Sequence, residues 1–331
     1  MSGGAEFDDI RNLFRPLTRG APEALELLDD VAVIGGRPGF ELLISTDTIV
    51  AGVHALPDTS PADLAYKLAG VNFSDLAAKG AVPDGAFLNV SWPRDWGAVD
   101  RTAFATALGE ALDKRQVRLF GGDTVRTPGP FQASLTVLGW CPTGLAVLRS
   151  GARPGDLLYV TGSIGDGWLG LSAAKGEGAL SGEDRAALSL RYLRPTPRLE
   201  FAIIARDLCS AAVDISDGLI ADIGHIALAS DVGVELDLAA VPLSDPAERW
   251  LATQADEAQA RLSLAAGGDD YEIACTAPRA AEAELLSRAA SLGLRLTCIG
   301  SISTGSGVSI DFRGRKLEPD RVGWSHLDEK N

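Results

Sequence analysis

Ala211–Ala212–Val213–Asp214–Ile215–Ser216–Asp217–Gly218 is an apolar run that ends in acids, with Leu219–Ile220 resuming behind it. It reads as a strand over Ala211–Ile215, and Ser216 reads as the cap of a helix reaching about Ser230. Val234–Leu238 then reads as a second strand. Strand, helix and strand in that order point to a sheet covered by helices. Toward the C-terminus, Ile273–Thr276, a helix near Ala280–Leu292, Leu294–Ile299 and Val308–Phe312 continue the pattern. Toward the N-terminus, Leu157–Thr161 reads as a strand, and a helix is expected after Thr196–Pro197. The turn-rich stretch Arg149–Ser150–Gly151–Ala152–Arg153–Pro154–Gly155–Asp156 closes this half.

The first half mixes strands and helices. Val31–Ile34 and Leu42–Ser45 read as strands around the turn Gly35–Gly39. Ser60–Pro61–Ala62–Asp63 carries a Ser cap, a Pro at the first helical position and an acid at the capping-box position, so a helix starts there and ends near Gly80. Ala86–Trp92, Val117–Phe120 and Phe131–Trp140 read as strands and Ala98–Lys114 as a helix. The chain has 331 residues, 46% of them hydrophobic, enough for two cores. The expected fold is therefore α+β to α/β in two domains, 1–148 and 149–331.

The formal net charge is −15, a surface that repels nucleic acid and anionic membranes and suits cations. Cys141, Cys209, Cys275 and Cys298 sit in apolar settings too far apart for a zinc pair, and read as buried free thiols in a reducing cytoplasm. Met1–Arg11 lacks the features of a signal peptide, and no run of ~18 apolar residues is present.

The chemistry concentrates in aspartates placed at strand ends and in Gly-rich turns: Asp29–Asp30, Ser45–Thr46–Asp47, Gly121–Gly122–Asp123–Thr124, Asp214 to Gly218, and Gly267–Gly268–Asp269–Asp270. Any one of these is ordinary turn chemistry. Together they offer the hard oxygens that magnesium takes beside phosphate. Asp75 follows Leu64, Leu68 and Val71 at helical spacing, so an acid lies at the edge of an apolar stripe; it needs a metal or a local polar partner. The P-loop pattern, the kinase catalytic-loop pattern and a nucleophile elbow are all missing. Gly162–Ser163–Ile164–Gly165–Asp166–Gly167 is similar to a phosphate loop but has different spacing. His225 reads as a structural mid-helix residue.

With these residues in view the chain resembles the thiamine-monophosphate kinase family, within the aminoimidazole-ribonucleotide synthetase-like superfamily. The likeness rests on Asp29–Asp30–Val31–Ala32, Ser45–Thr46–Asp47–Thr48 with Gly52–Val53–His54, Asn72 to Gly80, Gly121–Gly122–Asp123–Thr124, Arg149–Ser150–Gly151–Ala152, Asp214 to Leu219, Gly268 to Glu272, and Gly323–Trp324–Ser325–His326. It implies an N-terminal α+β domain that binds ATP and magnesium and joins a second copy in an inter-subunit β-barrel. It also implies a C-terminal α/β sandwich completing the nucleotide and substrate sites. The implied activity is magnesium-assisted, in-line phosphoryl transfer from ATP to thiamine monophosphate, in a cytoplasmic homodimer.

The resemblance further implies roles. Asp30, Ser45, Thr46, Asp47, Asp75, Asp123, Asp214 and Asp217 match the magnesium ligands, of which Asp47, Asp75, Asp123 and Asp214 would carry catalysis. Gly122, Asp123, Arg149 and Ser216 match ATP contacts. His54, Asp269 and Trp324 match thiamine-phosphate contacts, although Trp324 also reads as a hydrophobic plug. The family's usual Gly-Glu-Asp is here Gly268–Asp269–Asp270, which leaves open whether Asp269 or Asp270 meets the substrate. Leu327 stands where Phe is usual. Three alternatives are a ring-forming synthetase, a selenophosphate synthetase and a non-enzymatic metal or nucleotide binder. Met1–Arg11 has neither the Cys nor the Lys of a selenophosphate synthetase, and His54 with Gly323–Trp324 argues against a ring-forming enzyme.

Overall fold

The computed structural model describes residues 8–319 and Gly323. It divides into two compact units. One holds the described residues up to Leu76 with Ala81–Gly144, the other Ala77–Gly80 with the described residues from Leu145 on.

The N-terminal unit runs β1 (Phe40–Val50), α1 (Pro61–Ala78), β2 (Val82–Pro93), α2 (Ala98–Asp113), β3 (Arg118–Thr127) and β4 (Gln132–Pro142). Its sheet has the order β1-β4-β2-β3. β4 is antiparallel to both neighbours, and β2 and β3 are parallel. The start of α1 is capped as its sequence predicts: the Asp63 N–H donates to Ser60 Oγ at 3.1 Å, and the Ser60 hydroxyl donates to Asp63 Oδ2 at 2.7 Å. One sheet face is covered by helices; Trp92 packs edge-on against Phe104 of α2, with ring centroids 5.4 Å apart. Residues 21–34 cover one end of the other face, where Ala24, Ala32 and Ile34 cluster with Leu42, Phe120 and Leu138. The rest of that face carries exposed Thr46, Thr48, Asn89 and Asp123.

Two expectations change here. Val31–Ile34 is not a strand: it pairs with no strand of the sheet, and the Val33 N–H donates instead to Glu23 O. Strands β1 and β3 run on well past the predicted ends, so Ser45–Thr46–Asp47, expected to end a strand, lies inside β1, and Gly121–Gly122–Asp123–Thr124, expected to follow one, lies inside β3. Their polar residues are tolerated because β1 and β3 are the sheet edges, half-exposed to water.

The C-terminal unit runs β5 (Leu157–Thr161), α3 (Asp166–Ala174), α4 (Gly182–Leu193), α5 (Ala202–Leu208), β6 (Ala211–Asp214), α6 (Leu219–Ser230), β7 (Gly233–Asp237), α7 (Asp245–Leu251), α8 (Glu257–Ala266), β8 (Ile273–Ala277), α9 (Glu282–Ser291), β9 (Leu296–Ser303), β10 (Gly307–Phe312) and β11 (Arg315–Leu317). Its seven-stranded sheet has the order β11-β10-β7-β9-β5-β8-β6. Every residue of β5, β6 and β8 is buried, which explains why their sequences are mostly apolar, with Thr161, Asp214 and Thr276 as the buried polar exceptions. Leu158 and Val160 join one core with Ile223 and Ile226 of α6. Leu157 and Tyr159 join another with Ile204 of α5 and Leu285 of α9. The period-two alternation thus divides β5 between two helix-covered faces. Ser216 does not cap α6, whose first residue is Leu219 and whose cap is Gly218. Cys141 and Cys275 are buried as expected, whereas Cys209 and Cys298 are partly exposed.

Candidate functional site

Strand β1 presents alternate side chains to opposite faces, and this sorts its polar triplet. The Ser45 hydroxyl donates to Asp75 Oδ2, and the Asp47 N–H donates to Asn72 Oδ1 at 2.9 Å. Ser45, Asp47 and Asp75 therefore form one group between β1 and α1. Asn72 is wholly buried and is itself held by donation to Leu68 O at 2.8 Å, which fixes the helix against the strand. The partner of Asp75 within the unit is thus a serine. Thr46 points to the opposite face, where it accepts from the Thr136 hydroxyl at 2.9 Å.

Gly122 and Asp123 lie on the far edge strand. The row across the sheet is Asp47, Leu135, Leu88, Gly122, three interstrand spacings or roughly 14 Å. Asp123 pairs with Asn89 and lies on the open face with Thr46 and Thr48. Gly122 has φ +151°, and a Cβ there would stand 1.8 Å from Leu88 O, so only glycine fits. Asp30 is exposed in the segment that covers the sheet end. His54 follows β1 in a tight turn, where its Nδ1 accepts the Val50 N–H at 3.0 Å; the neutral ring then carries its proton on Nε2. A cavity of about 600 Å³ in this unit is lined by residues such as Pro57, Trp96 and Phe131 and by none of the candidate residues.

In the C-terminal unit the candidates gather around the end of β6. Asp214 is its last residue and is 5% exposed. The Ala212 N–H donates to Leu148 O at 3.0 Å, which lays Arg149 beside the same strand. The Ser230 hydroxyl donates to Arg149 O at 3.1 Å. The Asp269 N–H donates to Ser216 O at 2.9 Å and the Tyr271 N–H to Ile215 O at 2.8 Å, so the 214–218 and 268–272 loops form one ladder. Gly323 packs against Asp217 O and Ala221, while Trp324 and His326 lie outside the described residues.

Three acids are buried here: Asp270, which the sequence left as an alternative to Asp269, and Glu272 and Asp222, to which it gave no role. Asp270, at 0% exposure, accepts the N–H groups of Gly165 at 2.8 Å and Gly167 at 2.9 Å. The Gly162–Gly167 loop thus binds a carboxylate of the chain, which answers its likeness to a phosphate loop. Burial pushes the Asp270 carboxyl well above its ordinary range, against the pull of those two N–H groups. Glu272 accepts from Arg198 Nε at 2.6 Å, Arg191 Nη2 at 3.0 Å and Thr161 Oγ1 at 2.7 Å. Asp222 accepts three N–H groups of the Ser216–Gly218 turn. Its pKa is pushed up to about 7, first by burial and then by the charge of Asp217, while the N–H groups oppose the rise. The exposed His225 lies with Asp217 and Asp222, all three ligand atoms falling within 4.8 Å of one another. It is therefore not a core histidine.

Asp269 differs from its neighbour. It is partly exposed, its Oδ1 accepts the Tyr271 hydroxyl at 3.0 Å, and its charge follows burial in raising the Tyr192 phenol above its ordinary value. Asp269 and Tyr271 both take positive φ, +70° and +51°, a strained backbone held in place by the buried acids Asp270 and Glu272 that alternate with them. No hydrogen-bond pattern in the sequence alone marks Asp270, Glu272 or Asp222. Their buried setting was the missing signal.

Comparison with known proteins adds the relationship. Residues 25–141 match the family described as AIR synthase related protein, N-terminal domain, and residues 153–313 its C-terminal domain. Thiamine-monophosphate kinase of Caulobacter vibrioides is 48% identical over 97% of this chain and 90% of its own. The crystal structure of thiamine-monophosphate kinase from Stenotrophomonas maltophilia K279a superposes with a TM-score of 0.83 at 36% identity, covering 93% of this chain and 96% of that one. A structure of AaThiL complexed with AMPPCP and TMP superposes with a TM-score of 0.77 at 29% identity, covering 88% and 89%. The chain belongs to the thiamine-monophosphate kinase family.

Proposed function

We propose that this protein transfers the γ-phosphoryl group of ATP to thiamine monophosphate, giving thiamine diphosphate. The 48% identity to a thiamine-monophosphate kinase, continuous over 97% of the chain, carries the reading. The relative complexed with AMPPCP and TMP supports the same pair of substrates.

The residues fit magnesium as the metal. The donors are carboxylates and hydroxyls, hard oxygens with no thiolate among them. Ser45, Asp47 and Asp75 would hold one ion and Asp214 and Asp217 another, while Thr46 and Asp123 on the open face and Asp30 would serve further ions. Bound magnesium neutralises phosphate charge and orients the reacting groups.

The chain's own residues do the rest. The attacking oxygen belongs to a phosphate that is already anionic, so no general base is required. Arg149 supplies a fixed positive charge to phosphates. Gly122, with no side chain, lets the backbone approach the nucleotide, and Ser216 offers a hydroxyl. Asp47, Asp75, Asp123 and Asp214 set the charge pattern in which the transfer occurs. At the acceptor end, His54 offers an Nε2 donor and Asp269 a carboxylate for the thiazolium cation. Both Asp270 oxygens are occupied by glycine N–H groups, which favours Asp269 as the substrate contact. Exposed Ile44 and Val125, on the polar open face of the N-terminal sheet, support pairing with a second copy.

The test is ADP release coupled to an indicator enzyme. Release that requires both thiamine monophosphate and magnesium is expected. ADP release indifferent to thiamine monophosphate would remove the assignment.

A further inference from the structure

The cavity of about 600 Å³ in the N-terminal unit lies where the ends of β1 and β2 and the β3–β4 loop meet the start of α1. Ala51, Pro93, Phe131 and Pro61 line it from those four elements, and none of the residues proposed for magnesium, ATP or thiamine monophosphate does. Its volume is that of a small-molecule pocket. Its walls include Pro57, Pro61, Pro93, Pro128 and Pro130, whose fixed φ gives them little freedom to collapse or rearrange. Leu64, 1% exposed, and Phe131, 2% exposed, supply an apolar backing. Trp96 is partly exposed and stacks on Phe131, with ring centroids 4.9 Å apart and planes 19° from parallel.

Charge and hydrogen bonding restrict what can fill this space. Asp58, Asp95 and Asp100 line the cavity, and Arg94 is the only base among its described lining residues. Asp100 is engaged in part, its Oδ2 accepting the Gly97 N–H at 2.8 Å, while Asp58 and Asp95 are exposed. Such an acidic rim repels phosphates and attracts cations. An indole ring favours a cation as well. Thr59, also in the lining, supplies an independent sign of an occupant: its Oγ1 is shielded from water and no group of the protein bonds it. A buried hydroxyl without a partner is costly, so a bound group that meets it is favoured.

We infer that this cavity is a second small-molecule site, for an unphosphorylated aromatic cation that carries an amino group. The ring meets Trp96, the positive charge faces the Asp58 and Asp95 carboxylates, and the amino group donates to the Thr59 hydroxyl. The inference stands apart from the proposed reaction, whose residues the cavity does not include.

The probe is thiamine, which has a thiazolium ring, an aminopyrimidine and no phosphate. It is titrated calorimetrically, without nucleotide, into wild type, Trp96→Leu, Thr59→Val and the double variant Asp58→Asn/Asp95→Asn. Asp269→Ala serves as the control for the acceptor site. Circular dichroism and Tm are recorded for every variant. Saturable binding is expected in wild type and in Asp269→Ala, and should weaken as salt is raised. In Trp96→Leu it should be about tenfold weaker, the scale of one desolvated cation–π contact, and the other two cavity variants should weaken it as well. Absence of saturation, wild-type affinity in all three cavity variants, or loss of binding in Asp269→Ala overturns the inference. If Trp96→Leu does not fold, the double variant decides: wild-type affinity overturns the inference and a reduced one sustains it. Steady-state kinetics separate this site from the acceptor site. Trp96→Leu should keep the wild-type KM for thiamine monophosphate, and a raised KM would make the cavity part of the acceptor site and overturn the inference. Thiamine binding at the cavity without phosphorylation of thiamine monophosphate would sink the proposed function and leave this inference standing.

Discussion

Single residues decide which acids are free to act. Asp75 follows an apolar stripe of α1 and meets Ser45 of β1, two positions before Asp47. Asp270 and Glu272 are carboxylates too, yet they are wholly buried and engaged by backbone and guanidinium groups. At this scale the prediction concerns Asp75. Asp75→Asn preserves shape and can still accept the Ser45 hydroxyl, so the fold should persist with unchanged circular dichroism. The lost charge should lower kcat by about 10²- to 10³-fold, the usual effect of removing one element of transition-state electrostatics. Steady-state kinetics check it, and a kcat within about threefold of wild type would show that Asp75 is structural.

Elements fix the geometry of the loops. The 268–272 segment is held between α4, the residues before α5, and the 214–218 turn, and Glu272 is the common fastening. Two guanidinium groups, from Arg191 and Arg198, close on its buried carboxylate. Removing one partner of a buried pair leaves the other charges uncompensated, at a cost of about 3–5 kcal/mol. Glu272→Ala should therefore lose about that much stability in denaturant titrations, far more than a surface substitution. The strained turn at Asp269 would relax with it, so the KM for thiamine monophosphate should rise in whatever fraction stays folded. An unchanged denaturation midpoint would show that the pair is solvated in solution.

At the scale of the whole molecule, charge and core are separable. The apolar clusters of the C-terminal unit are separate from the exposed candidate acids, only Asp214 among those candidates being buried beside them at the end of β6, and the chain carries a net charge of −15. Chelation should therefore abolish turnover without unfolding the protein, and magnesium alone should raise Tm by binding the native state only. Thermal scans with and without magnesium, paired with activity, test this; activity surviving excess chelator would contradict it. No described helix is long and apolar enough to cross a membrane. Much of this protein was legible in its sequence. The capping box of Ser60–Asp63, the strands Leu157–Thr161 and Ala86–Trp92, and the aspartate motifs depend on neighbours along the chain, and local propensity reports them. The tertiary structure alone decided that Asp123 stands across the sheet from Ser45 and Asp47, and that Asp222, Asp270 and Glu272 are buried on backbone and guanidinium partners. Those outcomes depend on partners remote in sequence, such as Gly165 for Asp270, 105 residues away, and a periodic reading carries no information about a hydrogen bond that the chain must fold to form.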